Sequence, residues 1–478
     1  MKRWRFIPLF LIVILPLPVS GAVDSVALSL DDCIRLAVQN NKDIAYARKQ
    51  VEQYASTSRS LRANYFPKVS LQAIEFYGTL SGQIPIDVAG PISAVVTEKF
   101  TRMLPTIASG DMGSWYISTL PDRLSKYNQT MDYKLGNIFS TMLMVEQPIY
   151  AGGKIASSVK MGKLGLAMSE LNTGITEDET IVKVIEAYSQ FLFARDMGNL
   201  AEQSDSLIMA LYDKVEDLLA NGMVSQADLM KVRSAQSQSK LQIRQAENGQ
   251  LLARMNLCHI LGIPLTSDID ILPIDSLSAT GISADVPDIT NRREYEILQA
   301  KTELAGLQIE MEKSNFKPVV GLALSGGYID GIEINDNKLM DKKMHGFVAL
   351  NVKIPILHAG EGRHKIKAAR AEYDQAVIEQ QKYNELMTLE IQKSLNELDE
   401  ARLKVELCET VRDEAEECFR VSRKTYDMGM ETTSDLLEAQ TQYNKACTDL
   451  ADARHQYIIK EASFLKASGK LQEKYRFL

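Results

Sequence analysis

An internal duplication limits how this chain of 478 residues can fold more than any other feature of its sequence. Pro355 follows Pro148 by 207 residues, and Gly469 follows Gly262 by the same interval. Between these landmarks the two stretches align without a gap, and the clearest matches are Gly222-Met223 with Gly429-Met430 and Asp228-Leu229 with Asp435-Leu436. A repeat of this length indicates two structurally related halves.

Each half predicts the same order of elements: a helix, two strands joined by a loop, a very long helix, a tight turn and a further helix. The first half, residues 23–262, has its opening helix from about Leu30 to Asn64, strands and loop at 68–149 with the loop itself at about 78–136, and helices at 154–221 and 225–262. The second half, residues 288–478, has these elements at 288–315, 319–356 with a shorter loop at about 330–346, 362–428 and 432–469. Residues 263–287, rich in Pro, Ser and Asp, form an equatorial linker between the halves.

The two long helices exclude a compact globule. Neither contains proline, and at ~1.5 Å per residue each would be about 100 Å long. Their apolar residues are spaced close to the 4-3 pattern of coiled coils. Val184, Tyr188 and Phe191 stand at the repeat-equivalents of Ile391, Leu395 and Leu398. Such helices bury their apolar faces only by packing lengthwise against other helices.

The first 22 residues have the features of a secretory signal peptide. Lys2, Arg3 and Arg5 precede an apolar run from Phe6 to Val19, and small residues follow at 20–22. No later stretch reaches about 18 consecutive apolar residues, so no helical membrane span is predicted. An exported chain of this kind is a soluble protein, a surface-anchored protein or a transmembrane β-barrel.

The candidate strands alternate apolar residues with small or polar ones. Val69 and Leu71 share one face of the first strand, and Val348, Leu350 and Val352 share one face of the last. This alternation is typical of outer-membrane strands, although a half-buried sheet in a soluble protein alternates in the same way. The signal peptide, the duplication and the helix lengths favour the membrane. Because four strands cannot close a barrel and lipid does not tolerate open sheet edges, we expect three chains to share twelve strands.

Composition argues against most other classes of function. The net charge is −8 and basic clusters are lacking, which disfavours nucleic-acid binding. The five cysteines form no CxxC pair, so we expect reduced packing residues. The five histidines form no metal set, and no nucleotide-binding or hydrolase motif occurs in a suitable context. We therefore expect no enzyme activity, no metal and no cofactor.

At this point the chain resembles the TolC family of outer-membrane efflux proteins. The segments that carry the resemblance are the opening Leu28–Asn41, the strand-to-helix turns Gln147–Gly153 and Ile354–Gly360, and the helix turns Gly222–Leu229 and Gly429–Leu437. The resemblance implies a mixed α and β membrane protein and a homotrimer. Four strands per protomer would enter a shared 12-stranded β-barrel in outer-membrane lipid, above a long periplasmic α-helical barrel. It also implies a periplasmic adaptor (a membrane fusion protein) and an inner-membrane pump of the RND or ABC type as partners.

The resemblance also implies a periplasmic constriction near the second helix turn. The matching acidic positions are Asp435 and Glu438, and Tyr426 matches a tyrosine that helps to latch the closed end. The basic partner of that latch is replaced by Glu431. From the residues alone, Asp435 is equally explained as the capping-box partner of Thr432, as Asp228 is of Ser225, and Glu438 as part of a solvated helix face.

The turns have structural and functional interpretations. Gly222 and Gly429 are expected to end their helices in a left-handed conformation, and the exposed tips around them are expected to contact the adaptor. These adaptor-contact residues are Gly222, Met223, Ser225, Asp228, Gly429 and Met430. At the strand-to-helix turns, the expected turn residues are Pro148, Gly152, Gly153, Pro355 and Gly360.

The leading hypothesis is the outer-membrane channel of a tripartite efflux system, which gives small molecules a passive exit. Within the same fold, an exit duct for type I protein secretion remains an alternative. A soluble periplasmic coiled-coil scaffold is an alternative of a different class, and it would lack lipid-facing strands.

Overall fold

The computed structural model describes residues 27–78, 80–86, 97–99, 102, 114, 118–119, 129–274, 288–334, 337–338 and 344–475. The predicted signal peptide at 1–22 and much of the loop predicted at 78–136 lie outside these residues. The chain divides into two compact units. We call residues 1–55, 164–303 and 375–478 the helical unit, and residues 56–163 and 304–374 the sheet unit.

The elements follow one another in the predicted order. In the first half they are β1 (Ala27–Leu28), α1 (Leu30–Asn40), α2 (Lys42–Ala63), β2 (Lys68–Phe76), β3 (Leu80–Ile86), β4 (Gln129–Ala151), α3 (Lys154–Ala220) and α4 (Gln226–Leu261). The linker contributes β5 (Asp270–Ile271). In the second half they are α5 (Arg293–Ser314), β6 (Val319–Ile334), β7 (Asn337–Lys338), β8 (Met344–Lys353), α6 (Glu361–Asp427), α7 (Thr433–Ala467) and α8 (Leu471–Lys474).

The sheet unit is built on four antiparallel strands in the order β2-β4-β6-β8, with β3 paired to the start of β4 and β7 paired to β6. The register places Val69, Val145, Leu324 and Val348 opposite one another in a single row across all four strands. Because paired residues share a face, the apolar face predicted from each strand separately is continuous across the sheet.

The strands are longer than the sequence predicted. The loop expected at 78–136 includes β3 and the first residues of β4, and the loop expected at 330–346 includes the end of β6 and the start of β8. β3 was not predicted from the sequence because it contains Pro85, and proline weakens most strands. Here β3 pairs with β4 alone among the described strands, and proline is tolerated on an edge strand. At its other end β8 stops at Lys353, so the strand expected to reach residue 356 was predicted too long.

The opening helix predicted from Leu30 to Asn64 is two helices. Asn41 adopts an extended conformation between α1 and α2, and its side-chain oxygen accepts hydrogen bonds from the backbone N–H groups of Asp43 (2.8 Å) and Ile44 (3.3 Å). An asparagine that caps the next helix in this way competes with the continuous helical ladder. Similarly, the helix predicted from residue 288 starts with a 3-10 turn at Ile289–Asn291, capped by Asp288, before α5 begins.

The sequence repeat recurs in three dimensions, at the interval of 207 residues and at a second interval of 251 residues. α3 and α6 have 67 residues each, and they begin and end 207 residues apart. Gly262 and Gly469, which follow α4 and α7, have φ angles of 72° and 71°. A side chain at Gly262 would press against the backbone of Asn40, and one at Gly469 against the backbone of Asn291. Asn291 follows Asn40 by the interval of 251 residues that separates Pro67 from Pro318.

The core of the helical unit follows the predicted coiled-coil seam. Val184, Tyr188 and Phe191 are buried, as are the equivalents Ile391 and Leu398. The Tyr188 hydroxyl donates to the backbone oxygen of Leu272 (2.6 Å), next to β5, which pairs in parallel with β1. The linker, which was not expected to form a strand, is therefore held against the core in this part.

The cysteines are free, as predicted, but they do not all pack in the core. Cys33 and Cys258 are buried, and burial raises the pKa of the Cys33 thiol to about 12. A thiol with so high a pKa stays protonated and unreactive at neutral pH. Cys418 is exposed, so its assignment as a packing residue is wrong. No helix within the described ranges is long and apolar enough to cross a membrane.

Replacing Gly262 with alanine should destabilise the helical unit more than the same change at Gly222. Both glycines have left-handed backbones, with φ angles of 72° and 71°, but a new Cβ meets Asn40 at the first site and nothing within 4 Å at the second. We expect Gly262→Ala to reduce the free energy of unfolding by about 2 kcal/mol more than Gly222→Ala. Denaturant unfolding followed by circular dichroism measures the difference, and equal effects would show that the Asn40 contact is unimportant.

Candidate functional site

The two turns that join the long helices to the shorter ones form the candidate site. We call residues 221–229 the first tip and residues 428–438 the second tip. In each, the glycine and the methionine after it donate backbone hydrogen bonds to the last helical turn, from Met223 to Leu218 (2.9 Å) and from Met430 to Thr425 (3.0 Å). This is the Schellman pattern, which satisfies helix-terminal carbonyls and needs a left-handed glycine. It leaves Met223 and Met430 73% and 77% exposed.

A capping box starts the helix after each tip, as predicted. The carboxylate of Asp435 accepts hydrogen bonds from the hydroxyl (2.7 Å) and the backbone N–H (3.1 Å) of Thr432. Asp228 has the same contacts with Ser225, at 2.6 and 3.2 Å. In each case the hydroxyl hydrogen bond, followed by the backbone one, holds the pKa of the carboxyl below its ordinary value. Both side chains are therefore charged at neutral pH.

The second tip presents two carboxylates on one exposed surface. Asp435 and Glu438 are three residues apart on α7, so they lie on the same side of the helix, and both are exposed. The opposite side of this helix is buried through Leu436 and Gln440. The capping role of Asp435 thus leaves its charge accessible, and Glu438 lies within reach of solvent or of a neighbouring molecule.

Tyr426 is not part of this exposed surface. It is 7% exposed and packs in a cluster with Leu211, Val215 and Leu436. Its hydroxyl lies 3.3 Å from that of Thr433. The predicted tyrosine therefore lies beneath the tip, inside the protomer. Glu431 stands where the family's latch would have its basic residue. One of its carboxylate oxygens is buried without a hydrogen-bond partner among the described residues.

Two lysines that sequence reasoning missed connect the first half to the second tip. Lys214 of α3 forms an ion pair with Asp427 (2.6 Å), and its Nζ lies 5.2 Å from the centroid of the Tyr426 ring. Lys231 of α4 donates to the Ser434 hydroxyl (2.7 Å) and lies 3.5 Å from the Asp228 carboxylate. The repeat alignment could have drawn attention to Lys231, because the residue aligned with it 207 residues later is Glu438, which has the opposite charge.

The strand-to-helix turns use positive φ angles at equivalent positions. Gly152 and Gly153 have φ angles of 64° and 96°, and Ala359 and Gly360 have 43° and 87°. Ala359 therefore adopts a conformation that L-residues other than glycine rarely take. Of the predicted prolines, Pro148 lies at a register irregularity near the end of β4, whereas Pro355 follows β8 outside the sheet.

No metal centre accompanies these features within the described ranges, where no group of three or more His, Cys, Asp or Glu side chains could hold an ion.

Comparison with known proteins identifies the class of molecule. The family model described as "Outer membrane efflux protein" matches residues 116–263 and 290–470. The chain belongs to this family. It is 22% identical over 377 residues to the alkaline protease secretion protein AprF of Pseudomonas aeruginosa, covering 75% of each chain. It is also 22% identical over 321 residues to the outer membrane protein TolC of Escherichia coli, covering 62% of this chain and 63% of TolC.

The fold agrees with this membership. The crystal structure of the Campylobacter jejuni CmeC outer membrane channel matches with a TM-score of 0.71 at 18% identity, covering 92% of this chain and 86% of CmeC. The protein thus has a TolC-like fold and is an outer-membrane efflux channel with a periplasmic helical portion. Its family and fold are those of channel proteins, and the alternative of a soluble periplasmic scaffold is wrong.

The capping contribution of Asp435 should depend on pH. Because its folded pKa is lowered, the charged carboxylate stabilises the tip above the unfolded pKa of about 3.9, and this stabilisation is lost as the pH falls through the lower folded pKa. We expect Asp435→Ala to lower the thermal midpoint at pH 7 and to have a smaller effect near about pH 3. Asp399→Ala, which removes an exposed aspartate from the middle of α6, should have little effect at either pH. A difference between wild type and Asp435→Ala that stays constant with pH would contradict this account.

Proposed function

We propose that three copies of this chain close a single 12-stranded barrel in the outer membrane. Among the described strands, β2 pairs with β4 alone and β8 pairs with β6 alone, so each of these outer strands leaves one edge of unpaired backbone groups. An unpaired sheet edge in hydrocarbon leaves each of its polar groups unsatisfied, at a free-energy cost of several kcal/mol per group. Pairing β2 of one protomer with β8 of the next removes both edges, and three protomers supply twelve strands.

The exposed apolar surface of the sheet supports this placement in lipid. Val69, Leu71 and Val348 are 64–70% exposed in the protomer although they belong to the continuous apolar face. The opposite face carries the row Lys68, Glu146, Ala323 and Ala349. Small and charged side chains suit a water-filled lumen, whereas the apolar face suits lipid.

Family members are trimeric channels that act with adaptors and pumps, and we propose that the tips of this protein contact the periplasmic adaptor. The contact residues would be Gly222, Met223, Ser225, Asp228, Gly429 and Met430. Exposed Met223 and Met430 support this assignment, because flexible thioether side chains adapt to apolar partner surfaces. The transport energy would come from an inner-membrane pump of the RND or ABC type, while this chain catalyses no reaction and provides a passive duct.

Asp435 and Glu438 would form the periplasmic constriction, with Tyr426 packed beneath them. The two halves differ in charge at this point: Asp228 of the first tip is partly neutralised by Lys231, whereas the equivalent pair in the second tip is Asp435 with Glu438. Only the second tip therefore presents a doubly acidic surface. Three copies would bring six carboxylates around a narrow bore, which favours cations and repels anions.

Tyr426 would act from below rather than in the bore. The contacts of Lys214 with the Tyr426 ring and the Asp427 carboxylate hold α6 to α3 at the tip. These contacts would hold the second tip in place. Other family members use a tyrosine and a basic residue near this turn for that purpose.

Two cargoes remain compatible with this duct. Small molecules are the cargo that the family description favours. The similarity to a relative named for alkaline protease secretion supports the alternative, an exit duct for type I secretion. The pump, and not the duct, would select between them.

A trimer should be evident from the mass of the purified protein. We expect light scattering with detergent correction to give three times the protomer mass, because each barrel edge needs a neighbour. A variant with prolines at alternate positions of β8, Val348→Pro with Leu350→Pro, should lose the trimer, whereas the same helical content should remain by circular dichroism. A monomeric wild-type particle would exclude the shared barrel.

Removing the two exposed charges of the second tip should weaken cation selectivity. We expect Asp435→Asn with Glu438→Gln to shift the reversal potential of reconstituted channels in planar bilayers under a salt gradient toward the non-selective value. The matched control, Asp399→Asn with Glu400→Gln, removes the same charge from exposed positions in the middle of α6 and should leave the reversal potential near that of wild type. If the tip variant has the selectivity of wild type, these carboxylates do not line the constriction.

A further inference from the structure

All four main strands reach one edge of the sheet next to helices. The register pairs Ala151 with Val319 and Val319 with Lys353, and it places Lys68 opposite Glu146. The start of β2, the end of β4, the start of β6 and the end of β8 therefore lie together. The segments of the sheet unit that continue from these strand ends, residues 56–67, 152–163, 304–318 and 354–374, all adjoin this one edge.

These four segments are basic in a chain that is otherwise acidic. They contain eleven lysines and arginines, namely Arg59, Arg62, Lys154, Lys160, Lys163, Lys313, Lys317, Arg363, Lys365, Lys367 and Arg370. Their acidic residues are five, namely Glu310, Glu312, Glu361, Glu372 and Asp374. The local net charge is thus +6 with histidine neutral, whereas the whole chain has −8. The folded chain gathers at one edge a positive charge that is dispersed along the sequence.

Most of these basic side chains lack a carboxylate partner. Within the described residues, ion pairs occur only at Lys313, with Glu310, and at Lys365, with Glu361, both at 2.6 Å. The other nine have no carboxylate within ion-pair distance in that part of the chain, and all nine are exposed. An exposed group of like charges repels itself and attracts anions.

An apolar band lies between this charge and the sheet. Ile356 and Leu357 are 90% and 85% exposed, and they lie three and four residues after β8 ends at Lys353. At the equivalent point of the first half, Ile149 and Tyr150 are also exposed, as is Phe66 before β2. Phe66, Ile356 and Leu357 extend the apolar surface beyond the strands, whereas Ile149 and Tyr150 lie in the last residues of β4 itself. Aromatic and aliphatic groups followed by lysines and arginines are the arrangement that proteins present to a membrane–water interface.

We propose that the nine basic side chains without a carboxylate partner form a collar that binds anionic phospholipid headgroups in the periplasmic leaflet of the outer membrane; one of them, Lys154, donates a long hydrogen bond (3.4 Å) to the neutral Asn315 side chain. Lys154 lies three residues after the end of β4 and Lys317 two residues before β6, so both can reach phosphate oxygens beside the apolar band. Arg363 and Lys367 lie farther along α6, and they contribute through the electrostatic field over about one Debye length. The collar requires only the outer-membrane location, so its test is independent of the constriction at the second tip.

Native mass spectrometry of the detergent-solubilised full chain can measure lipid preference directly. The protein is incubated with equal amounts of phosphatidylglycerol, which is anionic, and phosphatidylethanolamine, which is zwitterionic. We expect wild type to retain phosphatidylglycerol over phosphatidylethanolamine by at least about fivefold, because several basic side chains near a membrane surface each favour an anionic lipid. The collar variant Lys154→Gln, Lys317→Gln, Arg363→Gln and Lys367→Gln, which includes the two side chains nearest the apolar band, should bring this ratio close to one.

The matched control removes the same number of lysines and arginines from exposed, unpaired positions of the helical unit: Arg233→Gln, Lys240→Gln, Lys382→Gln and Lys424→Gln. It should keep the wild-type ratio. A collar variant with the wild-type ratio, or a control that loses the preference equally, would refute the collar. A collar variant that keeps its lipid ratio but shifts ion selectivity in planar bilayers would also refute it, since the side chains would then face the lumen and attract soluble anions. If the fourfold variant does not fold, Lys154→Gln with Lys317→Gln should lower the ratio partway, and an unchanged ratio for this double variant would also refute the collar.

Discussion

The helical unit depends on lengthwise packing, because a helix of 67 residues has no other way to bury its apolar side chains. α3 packs with α1 and α4 around Val184, Tyr188 and Leu257, and α6 packs with α7 around Ile391, Leu398 and Phe464. Each fully buried side chain of this size contributes on the order of 1.5–3 kcal/mol. The two clusters use repeat-equivalent positions, so the same seam is formed twice. Among the described residues, all four helices share one cluster only near the tips. Charged contacts between the halves occur there, as between Lys214 and Asp427, and also farther along α3, where Asp178 pairs with Arg293 and Glu179 with Lys466.

This arrangement explains how the tips combine a fixed shape with an accessible surface. The glycines end the long helices, the capping boxes start the shorter ones, and the cluster around Tyr426 fills the space beneath. The side chains that form hydrogen bonds with the backbone at the helix starts also face outward. Asp435 therefore caps α7 and at the same time presents its negative charge to solvent. The divergence of the repeat at Lys231 and Glu438 then gives two tips of the same backbone different electrostatic character.

Much of this could be predicted from the sequence, for identifiable reasons. The repeat, the long helices and the caps depend on local spacing, which a single sequence shows directly, and the strand faces depend on alternation within each strand. The break at Asn41 was missed because an asparagine within a helical pattern is compatible with both outcomes until its side chain finds the next helix. β3 was missed altogether because Pro85 weakens a strand except at an edge, and an edge is defined only by the whole sheet. The contacts of Lys214 and Lys231 were missed, and so was the basic edge of the sheet unit. Both bring together residues that are far apart in sequence, and counting charges along the chain does not reveal such groupings.

The equal length of α3 and α6 restricts how this protein can change over time. A substitution changes one side chain and does not require a change at the equivalent position of the other half. The two halves can therefore come to differ in side-chain chemistry, as they do at Lys231 and Glu438 on the shorter helices. A lost or gained helical turn is different, because it would shift one tip by about 5.4 Å relative to the other and move every later side chain out of its seam. Insertions and deletions in these helices would therefore be retained only in matched pairs, and length variation among close relatives should be confined to the loops and the linker.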